Sequence, residues 1–344
     1  MRVLFTPHVE HYTIGLTQEL SKYVYLTVLT TKHLDANVNQ LVVNIPIPHF
    51  KGFAKWMIFR FSPLLRYDII HANTSQEGYF SRQFDRLIVT EHGFIDLKIV
   101  EKSELQHYLR ELNALRRLHE IGVPVVTISN YSAKMLRELD GVRAYKVIYH
   151  GLLEDFLSSR PKRYAFDKRE LRILWVSRLV HVKEPFILLE ALARIRNKIN
   201  FKAIIRGEGP LAIDIKRYIA KKDLVGKVFL KARVPFKKLP ELYNSCDIYI
   251  HTCSREPFGF SVLEAMGSGL PVITPNSGGA YEVAGEAALT FKSHDPSDLA
   301  EKILLLAHDA QLYEKLSRRS IERARKFTWK KAALEYLQIY KEVA

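Results

Sequence analysis

Short β-branched or apolar runs alternate with longer stretches of helical periodicity along almost the whole chain, and no other feature restricts the fold as much. Strand-like runs fall at Arg2–Thr6, Val24–Leu29, Ile69–Ala72, Leu87–Thr90, Pro124–Ile128 and Lys146–Tyr149. A second series falls at Arg172–Ser177, Phe201–Arg206, Val228–Lys231, Ile248–Thr252, Pro271–Thr274 and Ala288–Phe291. Between them, segments such as Thr13–Ser21, Leu105–Ile121, Pro185–Ile195 and Leu211–Ala220 carry apolar residues at helical spacing. Strand–helix–strand alternation implies parallel sheets with helices on both faces. Twelve strands are too many for one doubly wound sheet of ordinary size, and they divide into two sets of six. The polar, basic stretch Gly151–Arg169, with Pro161 inside it, separates the sets and reads as an interdomain link. Ligands of such sheets bind outside the carboxyl ends of the strands, so two domains facing each other would form a cleft lined by loops from both.

At 344 residues the chain is long enough for two cores. No apolar run approaches the ~20 residues of a membrane-spanning helix. Met1–Pro7 reads as a core strand without the features of a signal peptide, which points to a cytoplasmic protein. The two cysteines, Cys246 and Cys253, match no disulfide framework or common zinc spacing and read as small buried residues. The net charge of +15 admits nucleic acid, an anionic membrane surface or a phosphorylated small ligand as partner. No compact nucleic-acid signature is present, and pairs such as Lys216–Arg217 and Arg318–Arg319 have the spacing of a solvated helix face.

The densest chemical signal is Arg255-Glu256-Pro257-Phe258-Gly259-Phe260-Ser261-Val262-Leu263-Glu264, after a strand and opening a helix near Phe260. Pro257 and Gly259 turn the backbone and leave free amides at the helix N-terminus, suited to an anion or sugar oxygens. Glu256 before the helix and Glu264 a turn inside it can reach different hydroxyls of one elongated ligand. The alternative is one capping and one surface carboxylate. A second cluster, Ser177-Arg178-Leu179-Val180-His181-Val182-Lys183, puts a planar guanidinium and a point-charge ammonium in one strand-to-helix loop, a pair that suits a pyrophosphate. A third, Arg206-Gly207-Glu208-Gly209-Pro210, permits close backbone approach or is a plain turn. A separate segment, 50–61, mixes aromatic and basic residues without acids. It reads either as a core helix with solvated cations or as a helix lying on an anionic membrane.

In this order the three clusters resemble glycosyltransferase family 4, the retaining GT-B enzymes. The family's patterns are Gly-Arg-Leu-x3-Lys-Gly, Gly-x-Gly-Pro and a long Glu-x-Phe-Gly…Glu-Ala-Met-Ala segment, followed by Gly-Gly-x-x-Glu. Asn276-Ser277-Gly278-Gly279-Ala280-Tyr281-Glu282 is similar to the last. In the first half, Asp68-Ile69-Ile70-His71-Ala72-Asn73 resembles the family's Asp-Val-Val-His-Ala-His, and Thr90-Glu91-His92-Gly93 its Thr-x-His-Gly. His150-Gly151 stands where Asn-Gly-Val leads into the linker.

The resemblance implies two Rossmann-like doubly wound domains facing across a cleft: 1–155 on the acceptor side, completed by a last helix over about 328–344, and 156–327 binding the donor. It implies transfer of a hexose-type sugar from a nucleotide diphosphate sugar to a glycan, lipid or small molecule, with retention. A nucleotide-sugar epimerase and a non-catalytic donor-binding protein are the alternatives. Glu256, His92, Arg178 and Lys183 take the catalytic roles. Ser177, Gly207, Val234, Phe258, Gly259, Phe260, Ser261 and Glu264 complete the donor site, with Glu264 on the ribose. Neither metal nor cofactor is expected. Ser177 replaces the first Gly of its pattern. The family's Gly-Gly loop after the first strand is replaced by Pro7-His8-Val9-Glu10-His11-Tyr12, so Glu10 and His11 are the candidates for acceptor contacts.

Overall fold

A computed structural model of the chain describes residues 1–6, 10–30, 34, 37–42, 67–94, 96–98, 104–158, 160–164 and 170–344, with side chains in the first helix described from Thr13 on. They form two compact units, Met1–Gly151 with Phe327–Ala344, and Leu152–Lys326. The 50–61 segment lies outside the described residues, as do residues 7–9 and the side chains of Glu10 and His11.

The first unit runs β1 (Arg2–Phe5), α1 (Glu10–Leu20), β2 (Tyr25–Thr30), β3 (Asn39–Val42), β4 (Ile69–Ala72), α2 (Ser75–Phe80), β5 (Leu87–Glu91), α3 (Leu105–Glu120), β6 (Val125–Thr127), α4 (Asn130–Met135) and β7 (Lys146–Val147). All of its strand pairs are parallel, in the order β3-β2-β1-β4-β5-β6-β7. Runs such as Val3-Leu4-Phe5 and Ile69-Ile70 are wholly buried because helices cover both faces of a parallel sheet. Helix α3 shows the complementary pattern, with Leu112, Leu115 and Leu118 buried one turn apart. Hydroxyls cap helix starts: Thr74 accepts from the Glu77 amide (3.2 Å) and Ser129 from the Ser132 amide (2.9 Å).

Two expectations need correction here. The described residues of this unit hold seven strands, not six. β3 lies at the sheet edge with Asn39 and Leu41 exposed and none of its four residues buried, and only Leu41 and Val42 of them are apolar. The loop expected over Pro7–Tyr12 is shorter, because α1 already begins at Glu10 and takes Glu10 and His11 into its first turn.

The second unit runs β8 (Leu171–Val176), α5 (Pro185–Ile195), β9 (Phe201–Arg206), α6 (Ala212–Lys221), β10 (Val228–Lys231), α7 (Leu239–Asn244), β11 (Ile248–Ile250), α8 (Phe260–Gly267), β12 (Val272–Pro275), α9 (Gly278–Ala284), β13 (Leu289–Phe291), α10 (Pro296–His308) and α11 (Ala310–Ala324). Its six strands are the six expected, all parallel, in the order β10-β9-β8-β11-β12-β13. Trp175, Leu188, Leu192, Ile205, Ile303 and Leu306 belong to one buried cluster that joins the sheet to α5 and α10. The order reverses between β8 and β11, and the loops leaving their carboxyl ends therefore diverge, opening a crevice within this unit.

The last helix, α12 (Trp329–Val343), belongs to the first unit. It packs on α1 at Gly15, where any Cβ would come within 2.1 Å of the Trp329 ring. A buried polar chain holds its far end. His71 bonds the Tyr340 hydroxyl (2.7 Å) and Thr90 (2.7 Å), and Thr90 bonds the Tyr336 hydroxyl (2.9 Å). Burial pulls the His71 ring down to about 3, so it is neutral in the fold. Among the described residues no helix is long and apolar enough to cross a membrane.

Candidate active site

The loops after β8, β9 and β11 carry the three sequence clusters, and the second unit brings them together at its strand-order reversal. Ser177 continues β8 by bonding the Arg206 carbonyl (3.1 Å). Gly207 follows β9 so closely against it that a Cβ there would stand 1.8 Å from the Ser177 carbonyl oxygen. Leu179 then bonds the Glu208 carbonyl (2.9 Å), and a Cβ on Gly209 would strike the Leu179 carbonyl at 2.4 Å. The Gly-x-Gly turn is thus required for one loop to lie on the other. Arg178 projects from this layer, exposed and without a hydrogen bond or ion pair among the described residues. Val234, half-buried, lies beyond β10, beside Arg233, whose amide bonds Glu208 (3.4 Å).

Lys183 ends the β8 loop. Its ammonium donates to Glu256 Oε2 at 2.6 Å, with side chains only 14% and 16% exposed. Burial is the largest influence and pushes the Glu256 carboxyl up, but Lys183, His251 and Arg178 together hold the group below the usual carboxylate range. Burial likewise draws Lys183 down, and Glu256 reverses the sign. Thr252 positions the pair: its hydroxyl accepts from the Trp175 indole (2.9 Å) and donates to the Lys183 carbonyl (2.8 Å). Glu184, between Lys183 and α5, stands at φ 52°, a left-handed conformation that only a few non-glycine residues adopt. Its carboxylate accepts from Ser254 (2.7 Å).

Gly259, at φ 97°, turns the β11 loop into α8; a Cβ there would meet Ala280 at 2.8 Å. The first-turn amide of Ser261 has no acceptor inside the helix. Phe258 is buried and packs on Phe260 at 4.8 Å between ring centres. The Gly278–Gly279 pair explains itself here: the Gly279 amide bonds the Glu256 carbonyl (2.6 Å), and a Cβ on Gly279 would stand 2.0 Å from the Pro257 carbonyl. Glu264 is buried in α8, accepts from the Tyr243 hydroxyl (2.8 Å), and is pushed up to about 7 by burial.

Sequence reasoning missed His251 and Cys253, which stand with Glu256 so that one ligand atom of each lies within 4.8 Å of the others. Burial lowers His251 to about 4, leaving it neutral, and its Nε2 is buried without a hydrogen bond, 3.6 Å from Glu256. Burial pushes the Cys253 thiol up to about 12. A metal held here would have to expel the thiol proton and displace Lys183, whose ammonium already supplies the cation. Cys246 is also a buried free thiol. Both cysteines fit the reading as small buried residues.

His92, the catalytic candidate of the first unit, follows β5 and is half-buried. Its Nε2 lies 3.1 Å from Asn73 Oδ1 and its Nδ1 3.2 Å from His150 Nε2.

Comparison with known proteins gives this geometry a family. The model for Glycosyl transferases group 1 matches residues 159–327, and that for Glycosyltransferase Family 4 matches 9–155. An uncharacterized glycosyltransferase of Methanocaldococcus jannaschii is 29% identical over 222 residues, 64% of this chain and 60% of that protein. A D-inositol 3-phosphate glycosyltransferase of Nocardia farcinica is 24% identical over 299 residues, 80% of this chain and 66% of that protein. The chain thus aligns with somewhat under two thirds of the length of either relative. Among solved structures, sucrose-phosphate synthase from Thermosynechococcus elongatus superposes with a TM-score of 0.81 at 19% identity, covering 100% of this chain and 99% of the other. Anabaena HepE, in complex with UDP and glucose, gives 0.78 at 20% identity, covering 99% of each. With the two models together spanning nearly all of the sequence, and both α/β units in place, the chain belongs to glycosyltransferase family 4, of GT-B fold.

Proposed function

We propose that this chain transfers a hexose-type sugar from a nucleotide diphosphate sugar to a glycan, lipid-linked or small-molecule acceptor, with retention of configuration. The observation that carries the reading is the Lys183–Glu256 pair at the strand-order reversal, flanked by the free Arg178 and the glycine-turned start of α8. Breaking the sugar–phosphate bond leaves negative charge on the departing diphosphate. Arg178, Lys183 and the start of α8 are the groups to stabilise it, and Lys183, held by Glu256, is in place before the bond breaks. Glu256 takes the sugar hydroxyls, and its carboxylate state, maintained by Lys183, is the one that accepts from them. As the diphosphate arrives, Lys183 is shared between Glu256 and phosphate. Glu264 receives the ribose hydroxyls, and Ser177, Gly207 and Val234 offer backbone to the nucleotide. His92 serves the sugar–phosphate end of the donor from the first unit, and Glu10 and His11 serve the acceptor.

The charge work falls to side chains, so the reaction as proposed needs no metal. That HepE was solved with UDP and glucose makes UDP-glucose the first donor to try. A thermal-shift panel of UDP-, GDP- and ADP-sugars tests the reading. One base should raise Tm well above the others, and a flat panel would reject donor binding.

A further inference from the structure

Among the described residues, those at positive φ that are not glycine are Glu184 at 52°, Asp223 at 53° and His294 at 64°. Asp223 lies exposed in the turn after α6, an ordinary place for such a residue. Glu184 and His294 belong to different loops, after β8 and after β13, yet they meet: His294 Nδ1 lies 3.5 Å from Glu184 Oε2. Glu184 is the less ordinary of the two. It stands where the pattern Gly-Arg-Leu-x3-Lys-Gly has its last glycine, the residue that takes this backbone without strain. It also precedes α5 without capping it, since its side chain makes no bond to the helix start. The carboxylate turns instead to the loop after β11, where it accepts from the Ser254 hydroxyl at 2.7 Å. Ser254 is a firm post. It is 5% exposed, and its carbonyl accepts from the Ser277 hydroxyl at 2.9 Å.

Two ties therefore join the loop after β8 to the loop after β11, at consecutive residues. Thr252 donates to the Lys183 carbonyl (2.8 Å), and Ser254 donates to the Glu184 carboxylate. The ion pair of Lys183 with Glu256 spans the same two loops at 2.6 Å. Glycine at 184 would relax the backbone but cut the second tie.

We propose that Glu184 is a positioning residue for the transfer reaction: the strained backbone is kept because its carboxylate, bonded to Ser254, fixes the loop that carries Lys183 against the loop that carries Glu256. Lys183 then meets both Glu256 and the departing diphosphate from one fixed direction. No substrate contact is assigned to Glu184, which acts through Lys183. The tie needs an acceptor on residue 184 and not a charge. This rests on the reading of the chain as a sugar transferase with Lys183 and Glu256 at its reacting centre.

The first test needs no substrate. Urea midpoints of the second unit in wild type, Lys183→Ala, Glu256→Gln and the double variant give the coupling between the two residues. The same four chains are then compared with Glu184→Gly added to each. Glu184→Gly should cut the coupling by about half or more, and its own midpoint should not fall below that of wild type, because the lost bond is offset by the relaxed φ. Glu184→Gln keeps an oxygen for Ser254 and should keep the coupling. A coupling unchanged in Glu184→Gly would overturn the proposal. The second test is release of nucleoside diphosphate from the best-binding donor of the panel. Glu184→Gly should lower kcat on the order of tenfold, while Glu184→Gln stays within about twofold of wild type. Equal losses in the two variants, or a loss in Glu184→Gly that follows a lowered midpoint, would make Glu184 merely structural. A wild type that releases nothing, with the coupling still weakened in Glu184→Gly, would sink the transfer reading and the catalytic role with it, while the loop tie stands.

Discussion

Glu264 gives the sharpest energetic prediction, because the fold buries it with a single hydroxyl partner. Its carboxyl rises from an ordinary 4.5 to about 7, and burial is the cause, with the Tyr243 hydroxyl opposing it. Such a rise costs the folded state about 3 kcal/mol once the group is ionised. The sign follows from the protons bound. Below pH 4.5 the group is protonated whether the chain is folded or not, and nothing is lost. As pH climbs from 4.5 to about 7 the unfolded chain gives up its proton first, so stability falls; above about 7 the cost is constant. Glu264→Gln keeps an oxygen to accept from Tyr243 and removes the charge. Urea unfolding followed by Trp175, the one tryptophan within residues 152–326, reports on this unit. The variant should match wild type near pH ~4.5 and exceed it by about 2–3 kcal/mol near pH ~8, while binding nucleotide less tightly. A difference between the two chains that does not change with pH would refute the reasoning.

Three further outcomes follow from contacts already described. Lys183→Ala strands the buried Glu256 carboxylate and should destabilise the second unit by about 3–5 kcal/mol, read as a drop in its urea midpoint; Lys183→Ala with Glu256→Gln should recover much of it. Gly207→Ala forces a Cβ into the Ser177 carbonyl, so the loops after β8 and β9 must part; a loss of about 1–3 kcal/mol and weaker nucleotide binding by calorimetry are expected. His71 stays neutral in the fold, whereas the unfolded ring takes a proton below about 6.5, so the first unit should lose stability as pH falls from 6.5 towards 3. A His71→Gln chain should show a shallower fall in Tm over that range.

The second unit was almost wholly readable because each of its signals is local. A buried strand, a glycine turn and a helix start sit within a dozen residues, and the turn's chemistry is the site's chemistry. Edge position hid β3, of whose four residues only Leu41 and Val42 are apolar and none is buried. The Lys183–Glu256 bond joins residues seventy-three apart, and nothing in either loop alone says that the two charges meet. His251 and Thr252 read as the end of a strand and Cys253 as a small buried residue; only the fold shows that Thr252 carries the Lys183 loop and that His251 backs Glu256. The Gly278–Gly279 motif is legible only by its likeness to the family pattern, and its reason, a Gly279 backbone pressed against Pro257, is tertiary. In the first unit Asn73 and His150 stand where the resembled patterns have His and Asn, and that both departures meet on the His92 ring is visible only in three dimensions.

The most direct test of the central claim is release of nucleoside diphosphate by wild type and Glu256→Ala from the donor that gives the largest thermal shift. Wild type should release it, faster with an acceptor glycan present, and Glu256→Ala should bind the nucleotide while releasing on the order of a hundredfold less or lower still. Equal release by the two chains, or none by wild type from any UDP-, GDP- or ADP-sugar, would contradict the account.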